Sequence, residues 1–147
     1  MHEANYSIAW DDEFKIGNEK VDTQHKMLFD LLSVLVNQCI DGSSTELLQD
    51  TLDFLLNYIV QHFNDEESLQ VRHNFPEYRK HKKMHDDFKL AVGDLVRRFI
   101  KKGSPDALCE DVNKLIIQWL VCHIQQEDKK IGQHIRLALT HKVSVPM

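Results

Sequence analysis

Residues 48–69 read LQDTLDFLLNYIVQHFNDEESL, a stretch that combines a helical repeat with polar residues at core positions. Side chains on one face of an α-helix recur about every 3.6 residues, and a surface helix buries its apolar face. The residues that follow this repeat are Leu48, Leu52, Leu55, Ile59, His62, Glu66 and Leu69. The stretch therefore predicts an amphipathic helix whose buried stripe contains a histidine and a carboxylate four residues apart.

The rest of the chain contains three further stretches of this kind. Turn signals at 41–44, 74–76 and 103–105 divide the chain into four pieces of helix length. We expect Ser43 and Glu46 to form a capping box that opens the second helix, and Ser104 and Pro105 to open the fourth. The stripes predicted for the first, third and fourth helices are His25, Leu28, Phe29, Leu32, Leu35, Val36 and Cys39; His81, His85, Phe88, Val92, Leu95 and Phe99; and Leu108, Val112, Leu115, Trp119 and His123.

Length and composition are typical of one helical domain. The chain has 147 residues, 42% of them hydrophobic, with few glycines and prolines and no strand-like alternation. We therefore predict an all-α fold, an antiparallel up-down-up-down four-helix bundle in a single domain over 1–147. Residues 1–20 would form an N-terminal arm, and residues 21–140 the bundle with a C-terminal extension.

The polar stripe residues fall at one height of this bundle. About 17 to 19 residues separate the turns at 41–44 and 103–105 from the nearest stripe histidines on either side. At a rise of about 1.5 Å per residue, these four helical segments are equal in length to within about one helical turn. Antiparallel packing then brings together His25, His62, Glu66, His81, His85, His123 and Asp128.

Such a buried layer of polar groups predicts a metal site. Unpaired buried carboxylates cost several kcal/mol, and a hydrogen-bond network would satisfy only some of the seven groups. Metal ions would satisfy all of them, because they accept the imidazole lone pairs and neutralise the carboxylates. Seven ligands exceed what one ion accepts, and imidazoles with bridging carboxylates suit iron, whereas the lack of cysteine ligands argues against structural zinc. The residues therefore predict a di-iron centre with spare coordination positions.

Charge and composition argue against several other classes. The net charge of −5 is unlike that of a nucleic-acid-binding protein. Residues 1–12 have neither a basic start nor an apolar run, and no apolar run is long enough to cross a membrane, so we expect no signal peptide and no membrane. The three cysteines lack a CxxC spacing and are expected to be reduced and buried in a cytoplasmic protein: Cys39, Cys109 and Cys122. The remaining histidines are expected at the surface: His2, His73, His134 and His141.

The candidate ligands lie in stretches that resemble one family. The chain is similar to the hemerythrins, specifically to single-domain bacteriohemerythrins, from Trp10 to about Ile135. The matching stretches are 8–11 (IAWD) with Gly17, 21–26 (VDTQHK), Tyr58 with 62–67 (HFNDEE), 81–85 (HKKMH), and 119–124 (WLVCHI) followed by Asp128. All seven ligands expected in this family are present. The chain departs from the family at Gln70, where methionine is expected, and at Gln125, where proline is frequent. These departures concern the packing near the site and the local shape of the last helix, and neither residue is a ligand.

The resemblance implies two iron ions bridged by Glu66, Asp128 and an oxo or hydroxo group. One iron would be six-coordinate with His81, His85 and His123; the other would have His25 and His62 and keep one open position. The resemblance also implies that dioxygen binds reversibly at the open position, and we expect small anions such as azide to bind there in the ferric protein. The residues that match the family's apolar oxygen pocket are Leu28, Phe63, Trp119, Leu120 and Ile124.

Helix geometry and the resemblance disagree about the last ligand. At about 100° per residue, the partner of His123 in a regular helix is Glu127, whereas Asp128 points about 140° away. The resemblance nevertheless assigns the bridge to Asp128. Both can hold only if the helix widens, so we predict an i→i+5 bulge between His123 and Asp128.

The expected function is reversible oxygen binding for storage or delivery, with no enzymatic activity and with an oxygen-using enzyme as the expected kind of partner. Five imidazoles against two carboxylates favour carrying oxygen over activating it. Other classes stay open with the same ligands: an oxygen or redox sensor, and a di-iron oxidase, peroxidase or nitric-oxide scavenger. A helical zinc protein is a further alternative.

Overall fold

The computed structural model describes residues 9–144, which fold into a bundle of helices. After a 3-10 turn (Asp12–Phe14) come three long helices: α1 (Glu19–Ile40), α2 (Thr45–Arg72) and α3 (Tyr78–Lys102). The fourth rod runs without interruption from 105 to 144 and consists of α4 (Pro105–Asp111), a π-helix (Val112–Ile117), α5 (Gln118–His123), a second π-helix (Ile124–Asp128) and α6 (Lys129–Ser144). Each long helix packs on the next and α4 packs on both α1 and α3, so the four rods close into an up-and-down bundle. The predicted all-α fold is confirmed.

The cap of α2 differs by one residue from the prediction. Ser44 is the N-cap, and its hydroxyl accepts a hydrogen bond from Leu47 N at 3.1 Å. Ser43 belongs to the preceding turn, because its N–H donates to Gln38 O at 3.0 Å. The capping box predicted from Ser43 and Glu46 is therefore wrong. The predicted start of the fourth helix, a Ser104 cap followed by Pro105, is confirmed.

The N-terminal arm is fastened to both α1 and α6. Asp22 accepts hydrogen bonds from Ile16 N at 2.8 Å and from Gly17 N at 3.3 Å. The carbonyl oxygen of Ile16 lies against Gly132, where an added Cβ would be only 1.8 Å away, and it also accepts from Arg136 Nη1 at 3.4 Å. A glycine is needed at 132 because the arm approaches the α6 backbone so closely.

Two apolar clusters lie on either side of the predicted polar layer. The larger cluster fills the bundle towards the α1–α2 turn and contains the buried apolar residues of all four stripes except Leu69. The smaller cluster closes the other end and consists of Ile16, Val21, Leu69, Phe75 and Ile131, with Ile135 packed against it. The polar residues are thus shielded from water along the bundle axis in both directions.

The stripes predicted for the first three helices are buried throughout, whereas the fourth stripe is partly wrong. Leu115 and Trp119 are only half-buried, and the buried residues at this level are Ile116 and Leu120. The π-helix over Val112–Ile117 explains the change, because its wider turns move the core face by about one residue.

Two of the simpler expectations are also corrected. Cys39 and Cys109 are buried as predicted, but Cys122 is exposed. His134 is half-buried rather than free at the surface: its Nε2 lies 2.8 Å from His73 O and its ring packs on Phe75. His73 is half-buried as well.

His2 and the side chain of His141 lie outside the described residues. Among residues 9–144, none of the helices combines the length with the apolar character that a membrane span requires.

Candidate metal centre

The five histidines and two carboxylates of the predicted site meet in one buried layer. Each of the seven residues is at most 5% exposed. They come from all four rods: His25 from α1, His62 and Glu66 from α2, His81 and His85 from α3, and His123 and Asp128 from the fourth. Their donor atoms form two groups, each within 4.8 Å, and both groups contain Glu66 and Asp128.

The Nε2 atoms of three histidines, His81, His85 and His123, converge on the α3 side of the layer. The Nε2 atom of His123 lies 3.0 Å from that of His81 and 3.2 Å from that of His85. Two nitrogen ligands at right angles, each about 2.1 Å from an ion, are about 3.0 Å apart. The three ring nitrogens are therefore spaced like ligands of a single ion.

The Glu66 carboxylate reaches both groups with different oxygens. Its Oε1 lies 2.9 Å from His81 Nε2 and 3.2 Å from His85 Nε2. Its Oε2 lies 3.2 Å from His62 Nε2 and 3.6 Å from His25 Nε2. One carboxylate thus presents one oxygen to each histidine group, as a bridging ligand does.

Asp128 has the same arrangement from the opposite rod. Its Oδ1 lies 2.9 Å from His81 Nε2 and 3.1 Å from His123 Nε2. Its Oδ2 lies 3.1 Å from His25 Nε2. The site therefore has two shared carboxylates at its centre, with three histidines on one side of them and two histidines on the other.

The protein alone does not satisfy these atoms. Both ring nitrogens of His25, Nε2 of His62, Oε2 of Glu66 and Oδ1 of Asp128 are buried without a hydrogen-bond partner among residues 9–144. Buried polar atoms of this kind call for a bound water or ion. Imidazole and carboxylate donors together fit a transition-metal ion, so the residues present fit the predicted metal.

The two carboxylates also give the site a negative potential. Burial raises the pKa of Glu66 and Asp128, but the surrounding histidines outweigh burial and lower both pKa values. Burial likewise lowers the pKa of His25 and His81, but the carboxylates of Asp128 and Glu66 beside the two rings outweigh burial and raise the two pKa values to about 9 and about 10. For His62 burial dominates and the pKa is lowered. Two ionised carboxylates in a buried site attract cations, and a bound metal ion takes the place of ring protons.

The helix distortion predicted before Asp128 is present. Residues Ile124–Asp128 form a π-helix, which brings the Asp128 carboxylate onto the same face as His123. Glu127, the partner in a regular helix, is directed away from the layer and lies 3.3 Å from Lys130 Nζ.

Two of the histidines are held from behind by residues that the sequence reasoning did not assign. His62 Nδ1 lies 2.7 Å from Gln24 Oε1, and Gln24 Nε2 donates to Asp65 Oδ2 at 2.8 Å. His85 Nδ1 lies 2.8 Å from Glu67 Oε2. These partners fix ring orientation, and they lie within the stretches that carry the family resemblance. The sequence indicates them only through position, since Gln24 directly precedes the ligand His25 and Glu67 directly follows the ligand Glu66.

The residues predicted to line the oxygen pocket lie in the larger apolar cluster, except Trp119, which packs against it. Leu28, Phe63, Leu120 and Ile124 are buried and Trp119 is half-buried. The two aromatic rings cover the three-histidine side: Phe63 stacks on His85 at 3.8 Å between ring centroids, and Trp119 stacks on His123 at 4.2 Å.

Comparison with known proteins agrees with this geometry. The chain matches the family model described as "Hemerythrin HHE cation binding domain" over residues 16–135. It is 35% identical over 127 residues to a hemerythrin-like protein of Naegleria gruberi, covering 82% of this chain and 87% of the relative. It is 31% identical over 120 residues to a bacteriohemerythrin of Methylococcus capsulatus, covering 82% and 89%. It is also 31% identical over 121 residues to a myohemerythrin of Theromyzon tessulatum, covering 82% and 88%.

The matched residues 16–135 include the whole polar layer and the partners behind it, so the similarity covers the part of the chain that builds the site. The chain therefore belongs to the hemerythrin family.

Proposed function

We propose that this protein binds dioxygen reversibly at a non-haem di-iron centre and serves in oxygen storage or delivery. The observation that carries the proposal is the pair of overlapping ligand groups that share Glu66 and Asp128. Two shared carboxylates, each with one oxygen towards each group, are what a pair of ions needs and what a single ion does not.

The two ions would differ in their number of histidines. His81, His85 and His123 would hold one ion; with the two carboxylates and a solvent-derived bridging oxygen this makes six ligands. His25 and His62 would hold the other ion, which leaves one position for a ligand. When bound, the two iron ions supply the two electrons that reversible dioxygen binding requires.

The protein's own contribution is to keep this layer dry. The apolar clusters on both sides exclude water and protons, which would otherwise promote irreversible oxidation. Leu28, Phe63, Leu120 and Ile124 are the buried apolar residues that we assign to the oxygen pocket.

Redox cycling of the iron-loaded protein tests the proposal. The ferrous protein is exposed to air and then purged of oxygen, while its visible absorption is followed. Return to the colourless ferrous form over many cycles is the expected result. Rapid one-way conversion to the ferric form, or turnover with an added reductant, would instead indicate a di-iron enzyme, and two zinc ions without visible absorption would indicate a zinc protein.

The proposed inequality of the ions has its own test. Azide should bind the ferric protein at the position left open beside His25 and His62. If azide binding is unchanged in a His62→Ala protein that still holds both irons, the open position is assigned to the wrong ion. The cytoplasmic location and the delivery of oxygen to an oxygen-using enzyme remain predictions.

A further inference from the structure

The two site histidines with outer partners are held in different ways. His85 Nδ1 is in direct contact with a carboxylate, Glu67 Oε2 at 2.8 Å. His62 Nδ1 is in contact with the neutral amide of Gln24 at 2.7 Å, and the carboxylate of Asp65 lies one residue further out. A carboxylate has only acceptor atoms, so Glu67 by itself keeps the ring proton of His85 on Nδ1. An amide has a donor end and an acceptor end, so Gln24 by itself does not fix the proton of His62.

Asp65 decides which end of the amide faces His62. Because the Asp65 carboxylate only accepts, the Gln24 amide nitrogen must point towards it, at 2.8 Å. The amide oxygen of Gln24 then faces His62 and accepts the proton of Nδ1. In this tautomer His62 Nε2 carries its lone pair towards the polar layer, where it has no hydrogen-bond partner among the described residues.

We propose that Asp65 is a positioning residue for the ion held by His25 and His62, acting through the orientation of the Gln24 amide. Gln24 is nearly buried, whereas the Asp65 side chain is 29% exposed and also lies 3.6 Å from Lys20 Nζ. The chain of contacts therefore runs from the proposed oxygen-binding ion to the protein surface beside the start of α1. This inference rests on the proposed function, since it assigns Asp65 a role towards a metal ion.

Loss of an outer partner of a metal-bound histidine usually costs about 10- to 100-fold in metal affinity. The readout is iron release from the ferrous protein into an excess of a ferrous chelator, in the absence of oxygen. We expect two phases, with the ion held by two histidines leaving first, and a His62→Ala protein identifies that phase. Asp65→Ala should accelerate the fast phase about tenfold and leave the slow phase unchanged.

The Asp65→Ala change is also made in a Gln24→Glu protein, which distinguishes a positioning role of Asp65 from a general structural effect. In Gln24→Glu the residue at 24 is a carboxylate, which accepts from His62 without needing orientation and is repelled by Asp65. Asp65→Ala should therefore slow iron release in the Gln24→Glu protein, although it accelerates release in the parent. This reversal of sign is expected only if Asp65 acts through the amide.

Two control variants complete the design. Lys20→Gln removes the surface cation beside Asp65, and Asp53→Ala removes another exposed carboxylate of α2. Both should release iron at the parent's rates. The inference is overturned if Asp65→Ala leaves the fast phase unchanged, or if it accelerates release equally in both backgrounds. If the parent protein itself holds fewer than two irons, the proposed function fails and this inference fails with it.

Discussion

Replacing Gly132 by alanine tests how the arm holds the closed end of the bundle. An added Cβ would lie 1.8 Å from Ile16 O and 2.8 Å from Ile16 C. Both are backbone atoms, and real contacts of this kind do not fall below about 3.0 Å, so the arm has to move by more than about 1 Å. Ile16, only 2% exposed, would lose its place in the smaller apolar cluster.

The expected magnitude is the difference of two effects. Loss of the buried isoleucine side chain costs about 2–3 kcal/mol. Alanine in place of glycine within a helix gains about 1 kcal/mol. We therefore expect Gly132→Ala to lower the free energy of unfolding by about 1–2 kcal/mol, measured by urea denaturation at equal iron content.

Gly93 in α3 provides a matched control. A Cβ at that position would meet only the guanidinium of Arg97 at 3.7 Å, an ordinary contact with a flexible side chain. Gly93→Ala should therefore raise the free energy of unfolding by about 0.5–1 kcal/mol. If Gly132→Ala is as stable as the parent, or is stabilised like Gly93→Ala, the proposed fastening of the arm is refuted.

Three further predictions concern the site itself. Asp128→Ala should abolish the di-iron centre in a metal analysis, while Glu127→Ala should keep it; the opposite outcome would make Glu127 the ligand. Ile124→Gln should shorten the lifetime of the oxygenated form, followed by absorption, because it admits water and protons, and an unchanged rate would remove it from the pocket. Gln70→Met should raise the free energy of unfolding by about 1–3 kcal/mol, because both amide atoms of this fully buried residue lack a partner within 9–144; an unchanged or lower value would mean that the amide is satisfied in solution.

The sequence contains enough information to predict the fold and the polar layer. The 3.6-residue stripes identify the buried faces, and the equal lengths between turns and histidines place the ligands at one height. The π-helix at Ile124–Asp128 was predictable as well, because a regular helix and the family resemblance demanded different residues at the last ligand position.

Other features depend on contacts that no local pattern encodes. The apolar repeat of the fourth helix gives no sign of the π-helix at Val112–Ile117. The burial of Ile116 in place of Leu115 was therefore not predicted. The contact of Ile16 with Gly132 joins distant parts of the chain. The pairing of Gln24 with Asp65 joins α1 to α2 and appears only once the helices are in register.

The amount of dioxygen bound per iron tests the central claim most directly. Ferrous protein of known iron content is titrated with dioxygen, and bound oxygen is measured before and after purging with argon. We expect two irons and one dioxygen per chain, with the oxygen recovered on purging. One iron per chain, or oxygen consumed without recovery as the iron turns ferric, would contradict it.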